Sequence, residues 1–144
     1  IAAVATLNAV VQLERFGPDA RAALERDGEV KVVNARTGQI LPLGRAFFDD
    51  AARQDLAGVA RSLRIPALVI HAGDDPTVPP EEGRTLASWI GGARHLDIPG
   101  ADHVFGARHP FAGWTPALEQ AAGALDRFLP RGTARRGTGR EEDL

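Results

Sequence analysis

Cysteine and methionine are both absent from the 144 residues. Without a thiol the chain can hold no disulfide, no thiolate metal site and no cysteine nucleophile, and its redox compartment leaves no trace in the composition. Without methionine it does not open at a translation start. It begins instead in mid-strand, in the apolar stretch "IAAVATLNAVV", whose opening residues include no capping or turn residue. A buried parallel strand needs neighbours on its edges and cover on both faces, so the expectation is a carboxyl-terminal piece whose earlier part is missing. Excess positive charge is also lacking: 17 Lys and Arg stand against 19 Asp and Glu, a formal net charge of -2. No basic field for nucleic acid results, and the densest basic run, "RGTARRGTGR", lies in a Gly- and Thr-rich tail. The opening apolar run is about a dozen residues, short of the ~20 that a bilayer requires, and it lacks the basic flank of a secretion signal. No membrane partner is expected, and a cytoplasmic location is.

What is present is the composition of one globular domain, or part of one, at 44% hydrophobic and 25% charged. Residues 1–11, rich in Ala and Val, read as a strand covered on both faces. In "FGPDARAALERDG" Pro18 starts a short helix and Gly28 ends it. "EVKVVNARTGQILPLG" reads as two strands around a turn at Asn34 and Gly38. From Asp49 onward Leu56, Val59, Ala60 and Leu63 form a helical stripe that Pro66 stops. "ALVIH" is the clearest strand, the continuous apolar run of a central parallel strand. "EEGRTLASWI" reads as a helix with acids in its first turn and Gly91-Gly92 after its end. "ARHLDIP" is the next strand, and Thr115 with Pro116 opens a last helix with a stripe of Leu118, Ala121, Ala122, Leu125, Phe128 and Leu129. Residues from Pro130 turn to Arg, Gly, Thr and acids, the composition of a disordered tail. Alternation of strand and helix predicts an α/β three-layer sandwich with a parallel sheet, and in such sheets ligand sites gather beyond the carboxyl ends of strands.

Two loops in such positions carry chemistry. "HAGDDPTVPP" places Asp74 and Asp75 after one strand, and "GADHVFGARHPFAGW" places His103 after the next. Asp75 alone is readily a turn carboxylate accepting backbone N–H bonds, with Asp74 as a structural acid capping the turn. If the strands are neighbours, however, Asp75 and His103 emerge at one edge of the sheet. A carboxylate bonded to one imidazole nitrogen then fixes the tautomer and leaves the other nitrogen to take a proton. His71 and His95 read as packed or strand-face residues. Phe105, His109 and Trp114 are candidates for a substrate pocket, together with Phe111, although such residues also pack loops. A metal site made of His71, Asp75, Asp102 and His103 is a rival of another class, and a non-catalytic binding or assembly module is a third reading. The only serines, Ser62 in "ARSLR" and Ser88 in "LASWI", lie in no G-x-S-x-G turn.

In "HAGDDPTVP", His71, Asp75, Val78 and Pro79 stand in the pattern of the α/β-hydrolase acid loop, and "GADHVF" is similar to that fold's histidine loop. The chain therefore resembles the carboxyl-terminal half of an α/β-hydrolase, of the group that includes dienelactone hydrolases and prolyl-oligopeptidase-like esterases and peptidases. Ala72 departs from the glycine usual there. The resemblance implies that residues 1–130 are part of one hydrolase domain, that residues 16–50 are an excursion or cap, and that 131–144 are a tail. It further implies a serine hydrolase acting through an acyl-enzyme, with Asp75 and His103 in the triad and the nucleophile and oxyanion hole upstream. Carboxylic esters are the expected substrates and acyl-peptides the alternative, with no cofactor and no metal. The isolated chain is expected to be inactive.

Overall fold

The computed structural model describes residues 2–13, 15–34 and 37–129. The tail expected over 131–144 and the two residues at the tip of the expected turn, 35 and 36, lie outside them. The elements in chain order are β1 (Val4–Leu7), α1 (Pro18–Asp27), β2 (Glu29–Val33), β3 (Ile40–Gly44), α2 (Arg45–Arg53), α3 (Leu56–Ser62), β4 (Ala67–Ala72), α4 (Pro80–Trp89), β5 (Arg94–Ile98) and α5 (Pro116–Phe128). A three-stranded parallel sheet runs in the order β1-β4-β5, and β2 with β3 forms a separate antiparallel hairpin.

β4 is the axis of this arrangement, and every one of its six residues is buried. Because successive side chains alternate faces, Leu68, Ile70 and Ala72 point into a core shared with Ile98, Ala101, Phe105, Ala121 and Ala124, under α5. Ala67 and Val69 point the other way, into a core closed by Ala60 of α3 and Ile90 after α4. A strand clothed on both faces needs an apolar residue at every position, and "ALVI" supplies it. The three-layer α/β sandwich predicted from the sequence is therefore the observed one.

Three expectations need correction. The opening strand covers only Val4–Leu7 and is half-buried, with Leu7 42% exposed, because among the described residues β1 pairs on one edge alone. The helical stripe beginning near Asp49 is two helices: Asp55 accepts a hydrogen bond from the Gly58 N–H (2.8 Å) and caps α3 as a new start. Val59 consequently falls on an open face, 63% exposed. In α5, Leu129 lies past the helix end and is exposed, while Ala124, absent from the predicted stripe, is buried.

Phe16, Phe47 and Phe48 meet edge to face, with ring centroids 5.0 to 6.1 Å apart, and pack α2 against the segment before α1. A buried carboxylate ties the loop after β1 to α4. Glu82 Oε2 accepts the N–H groups of Val11 (2.7 Å) and Gln12 (3.1 Å), and Oε1 pairs with Arg15. Glu82 lies in the first turn of α4, as read from the sequence, and is in addition a structural anchor, 6% exposed.

His71 is fully buried on the same side of the sheet as α4, and a Cβ added to Gly83 would lie 2.5 Å from its Nδ1. The helix can approach the strand this closely only because position 83 has no side chain. In an exposed helix Gly→Ala gains about 1 kcal/mol. Here Gly83→Ala will destabilise the fold by about 1–3 kcal/mol through overpacking, measured as a lowered denaturant midpoint; an unchanged or raised midpoint contradicts this packing.

Candidate active site

The loops after β4 and β5 are held together at their base by the backbone. The Gly73 N–H donates to Ile98 O (2.8 Å) and the Asp74 N–H to Ala101 O (3.0 Å). A Cβ at Gly73 would lie 3.1 Å from Ile98 O and Pro99 Cα, so only glycine fits without a shift. Beyond this clasp the two expected residues meet: His103 Nδ1–H donates to Asp75 Oδ2 at 2.7 Å. The acid's side chain is 0% exposed and the histidine's 39%. The carboxylate is thus withdrawn from water while the imidazole remains reachable.

Asp75 makes the turn contacts and the histidine contact together. Its Oδ1 accepts the Thr77 N–H (2.8 Å) and the Val78 N–H (2.9 Å), forming the turn, while Oδ2 faces the imidazole. Burial alone pushes the Asp75 carboxyl up. The Val78 N–H, the His103 ring and the Thr77 N–H together outweigh it and hold the group below its ordinary value. With the carboxylate ionised, the His103 proton belongs on Nδ1. Nε2 then carries the lone pair, and it has no protein partner among the described residues.

The neighbouring groups are otherwise engaged. His71 Nε2–H donates to Val78 O (3.0 Å) and lies 3.9 Å from Asp75 Oδ2, bracing the acid loop from behind. Its Nδ1 is buried and has no partner among the described residues. Asp102 Oδ1 accepts the N–H groups of Gly106 (2.6 Å) and Val104 (3.2 Å), with Arg108 3.5 Å from its Oδ2. These contacts shape the turn that presents His103. Asp74 is exposed, and the acid that caps the turn is Asp75, which corrects the role expected of Asp74. His95 is on the surface, 3.3 Å from Asp97. Among the described residues no three His, Asp or Glu side chains gather as metal ligands would.

The residues expected to form a pocket separate. Phe105, held at φ 54°, is 5% exposed and packs in the core under α5. That burial corrects its reading as a substrate contact. Its carbonyl accepts the Thr115 hydroxyl, and the same hydroxyl oxygen accepts the Leu118 N–H to cap α5. His109 is exposed, and Trp114, 61% exposed, meets Phe111 edge to face at 6.3 Å. Ser62 and Ser88 donate to carbonyls of their own helices, Val59 O and Thr85 O, each at 2.7 Å.

One residue of the site escaped the sequence reading. Asn8, 6% exposed, accepts the Ala72 N–H at Oδ1 (2.7 Å) and donates from Nδ2 to His103 O (2.7 Å). Its signal was a lone amide inside the apolar run "IAAVATLNAVV".

A parallel sheet carrying a buried acid beyond one strand and a histidine beyond the next is the arrangement of the α/β-hydrolase fold. Solved structures of hydrolases and esterases share the fold of this chain. A protein of Agrobacterium vitis S4 assigned as a hydrolase superposes with a TM-score of 0.68 at 14% identity, over 90% of this chain and 50% of that one. Est1E from Butyrivibrio proteoclasticus gives 0.63 at 18% identity, over 89% and 50%. The esterase domain of a Rhodothermus marinus protein gives 0.54 at 18% identity, over 89% and 52%. The chain thus spans about half the length of these solved chains. No protein-family model matches the sequence, and no curated protein does.

Asp75 and Glu82 are both held below their ordinary values in the folded state, Glu82 because the Val11 and Gln12 N–H groups and Arg15 outweigh its burial. The unfolded chain therefore binds more protons than the folded one in acid, and stability rises with pH there. The contribution of these two carboxylates to the unfolding free energy is fully present above about pH 5 and is lost as the pH drops through the carboxylate range. Asp75→Asn and Glu82→Gln will each flatten the fall in denaturant titrations. A fall identical in both variants contradicts the assigned role of these carboxylates.

Proposed function

We propose that Asp75 and His103 are the acid and the base of a serine hydrolase that cleaves carboxylic esters through an acyl-enzyme. The observation that carries this reading is the 2.7 Å bond between the buried carboxylate and the reachable imidazole. In the proposed reaction His103 Nε2 takes the proton of a serine hydroxyl as its oxygen attacks the ester carbonyl carbon. Asp75 stays ionised and stabilises the imidazolium. The imidazolium then protonates the departing alcohol oxygen, leaving the acyl group on the serine. Water, deprotonated by the same Nε2, attacks the acyl carbon, and the serine recovers its proton as the acid is released. Every proton moves between serine, histidine, water and substrate, so the scheme needs no cofactor or metal.

The nucleophile is proposed to come from residues beyond these 144, across the outer edge of β1. Three observations support this. Neither Ser62 nor Ser88 is placed at the site. The Thr6 hydroxyl of β1 is buried and has no partner among the described residues. Beside it lies an apolar groove lined by Val4, Val10, Leu56, Val59 and Leu63. A further strand with its covering helix fits an edge and groove of this kind. The hairpin and helices of residues 16–50, outside the three-stranded sheet, are proposed to cap the completed site and bear on specificity.

The fold does not choose between esters and acyl-peptides, so a panel decides. Est1E has been solved with ferulic acid bound, which commends a hydroxycinnamate ester beside p-nitrophenyl acetate, p-nitrophenyl butyrate and an acyl-amino anilide. This chain alone will be inactive, and an upstream-extended chain will hydrolyse the esters. In the extended chain Asp75→Asn and His103→Ala will each lower kcat/KM by about a thousandfold or more. Activity indifferent to both substitutions removes the site assignment, and an extended chain with no nucleophile and no turnover favours a binding module instead.

A further inference from the structure

The acid and the histidine stand on separate loops, and their 2.7 Å bond tolerates little relative movement. The acid loop is well held, by its own turn and by His71. The histidine loop is anchored two residues to either side of His103, by Ala101 and Phe105 in the core and by the Asp74 N–H on Ala101 O, while the stretch between them has fewer contacts. Its turn is closed internally by Asp102, Val104 is 48% exposed, and the His103 side chain is 39% exposed, so packing does little to fix where the ring lies.

Asn8 joins the two loops. It follows β1 at φ 46°, a left-handed conformation that asparagine adopts more readily than most residues. Its own N–H donates to Ile70 O (3.0 Å), which continues the β1–β4 ladder by one residue. The amide then divides: Oδ1 accepts the N–H of Ala72, at the root of the acid loop, and Nδ2–H donates to the carbonyl of His103 itself. Among the described residues no other donor reaches that carbonyl. The partners lie 64 and 95 residues away in sequence, so one side chain adds, above the backbone clasp of Gly73 and Asp74, a second link between the two loops, and this one reaches His103 itself.

We infer that Asn8 is a positioning residue for the proposed reaction, acting through His103 by holding the peptide that carries the imidazole at the distance where Nδ1–H meets Asp75. The inference rests on the acid–base reading of Asp75 and His103. The amide is required for its two unlike ends. Aspartate keeps the acceptor for Ala72 but opposes a carboxylate oxygen to the His103 carbonyl. Glycine keeps the backbone conformation and removes both bonds.

The test uses this chain and needs no catalysis. Long-range proton–nitrogen correlation spectra of the neutral imidazoles report which ring nitrogen carries the proton. In the wild-type chain His103 will be the Nδ1–H form, and Asp75→Asn will abolish that preference. Asn8→Gly and Asn8→Asp will move His103 toward the Nε2–H form that an imidazole favours in water. Leu24→Ala, which destabilises the distant α1, will lower Tm without moving the tautomer. Asn8→Asp retains the Ala72 bond and carries the test if Asn8→Gly does not fold. Folded Asn8 variants that keep the wild-type Nδ1–H form overturn the inference and leave the acid–base pair standing. A wild-type His103 that lacks the Nδ1–H form removes the pair, and this inference with it.

Discussion

The Asp75 carboxylate is the constraint on which the rest of the site depends. One oxygen closes the turn through Thr77 and Val78 and the other meets His103. A buried charge costs several kcal/mol unless it is paired and hydrogen-bonded. Asp75 has three donors, two of them backbone N–H groups that cannot rotate away. Fold and chemistry therefore share the same atoms: the turn that satisfies the charge also aims its free oxygen at the imidazole.

The sheet makes that meeting possible. β4 and β5 are parallel neighbours, so their carboxyl ends coincide and the loops beyond them start side by side. Gly73 lets the two chains touch, and Glu82 and Arg15 pull the loop after β1 against α4 next to the acid turn. Arg15 also donates to Thr77 O, inside that turn, so the anchor and the acid loop form one network. Residues from β1, the post-β1 loop, β4, α4 and β5 all converge on a few peptide groups.

How much of this was legible in the sequence follows from the range of each signal. β4 was legible because a strand buried on both faces must be apolar throughout, and α1 because Pro18 and Gly28 act within a turn of the backbone. Asp75 and His103 were legible as a pair on the condition that their strands are neighbours, which the β4–β5 pairing meets. Asn8 and Glu82 were not, since their partners are backbone groups tens of residues away and their identities alone say only "turn" or "helix start". Phe105 misled because an aromatic beside Gly106 reads equally as pocket or core, and only the position of α5 decides. The break between α2 and α3 was hidden by a continuous apolar period that Asp55, as a cap, interrupts.

The proposed reaction pairs the imidazole of His103 with a nucleophile supplied across the outer edge of β1. The measurement that reaches this most directly is labelling of an upstream-extended chain with a fluorophosphonate, followed by mass-spectrometric mapping of the modified residue. The account predicts one labelled serine outside the present 144 residues, with labelling lost in His103→Ala. A label on Ser62 or Ser88, or labelling that persists without His103, would contradict it.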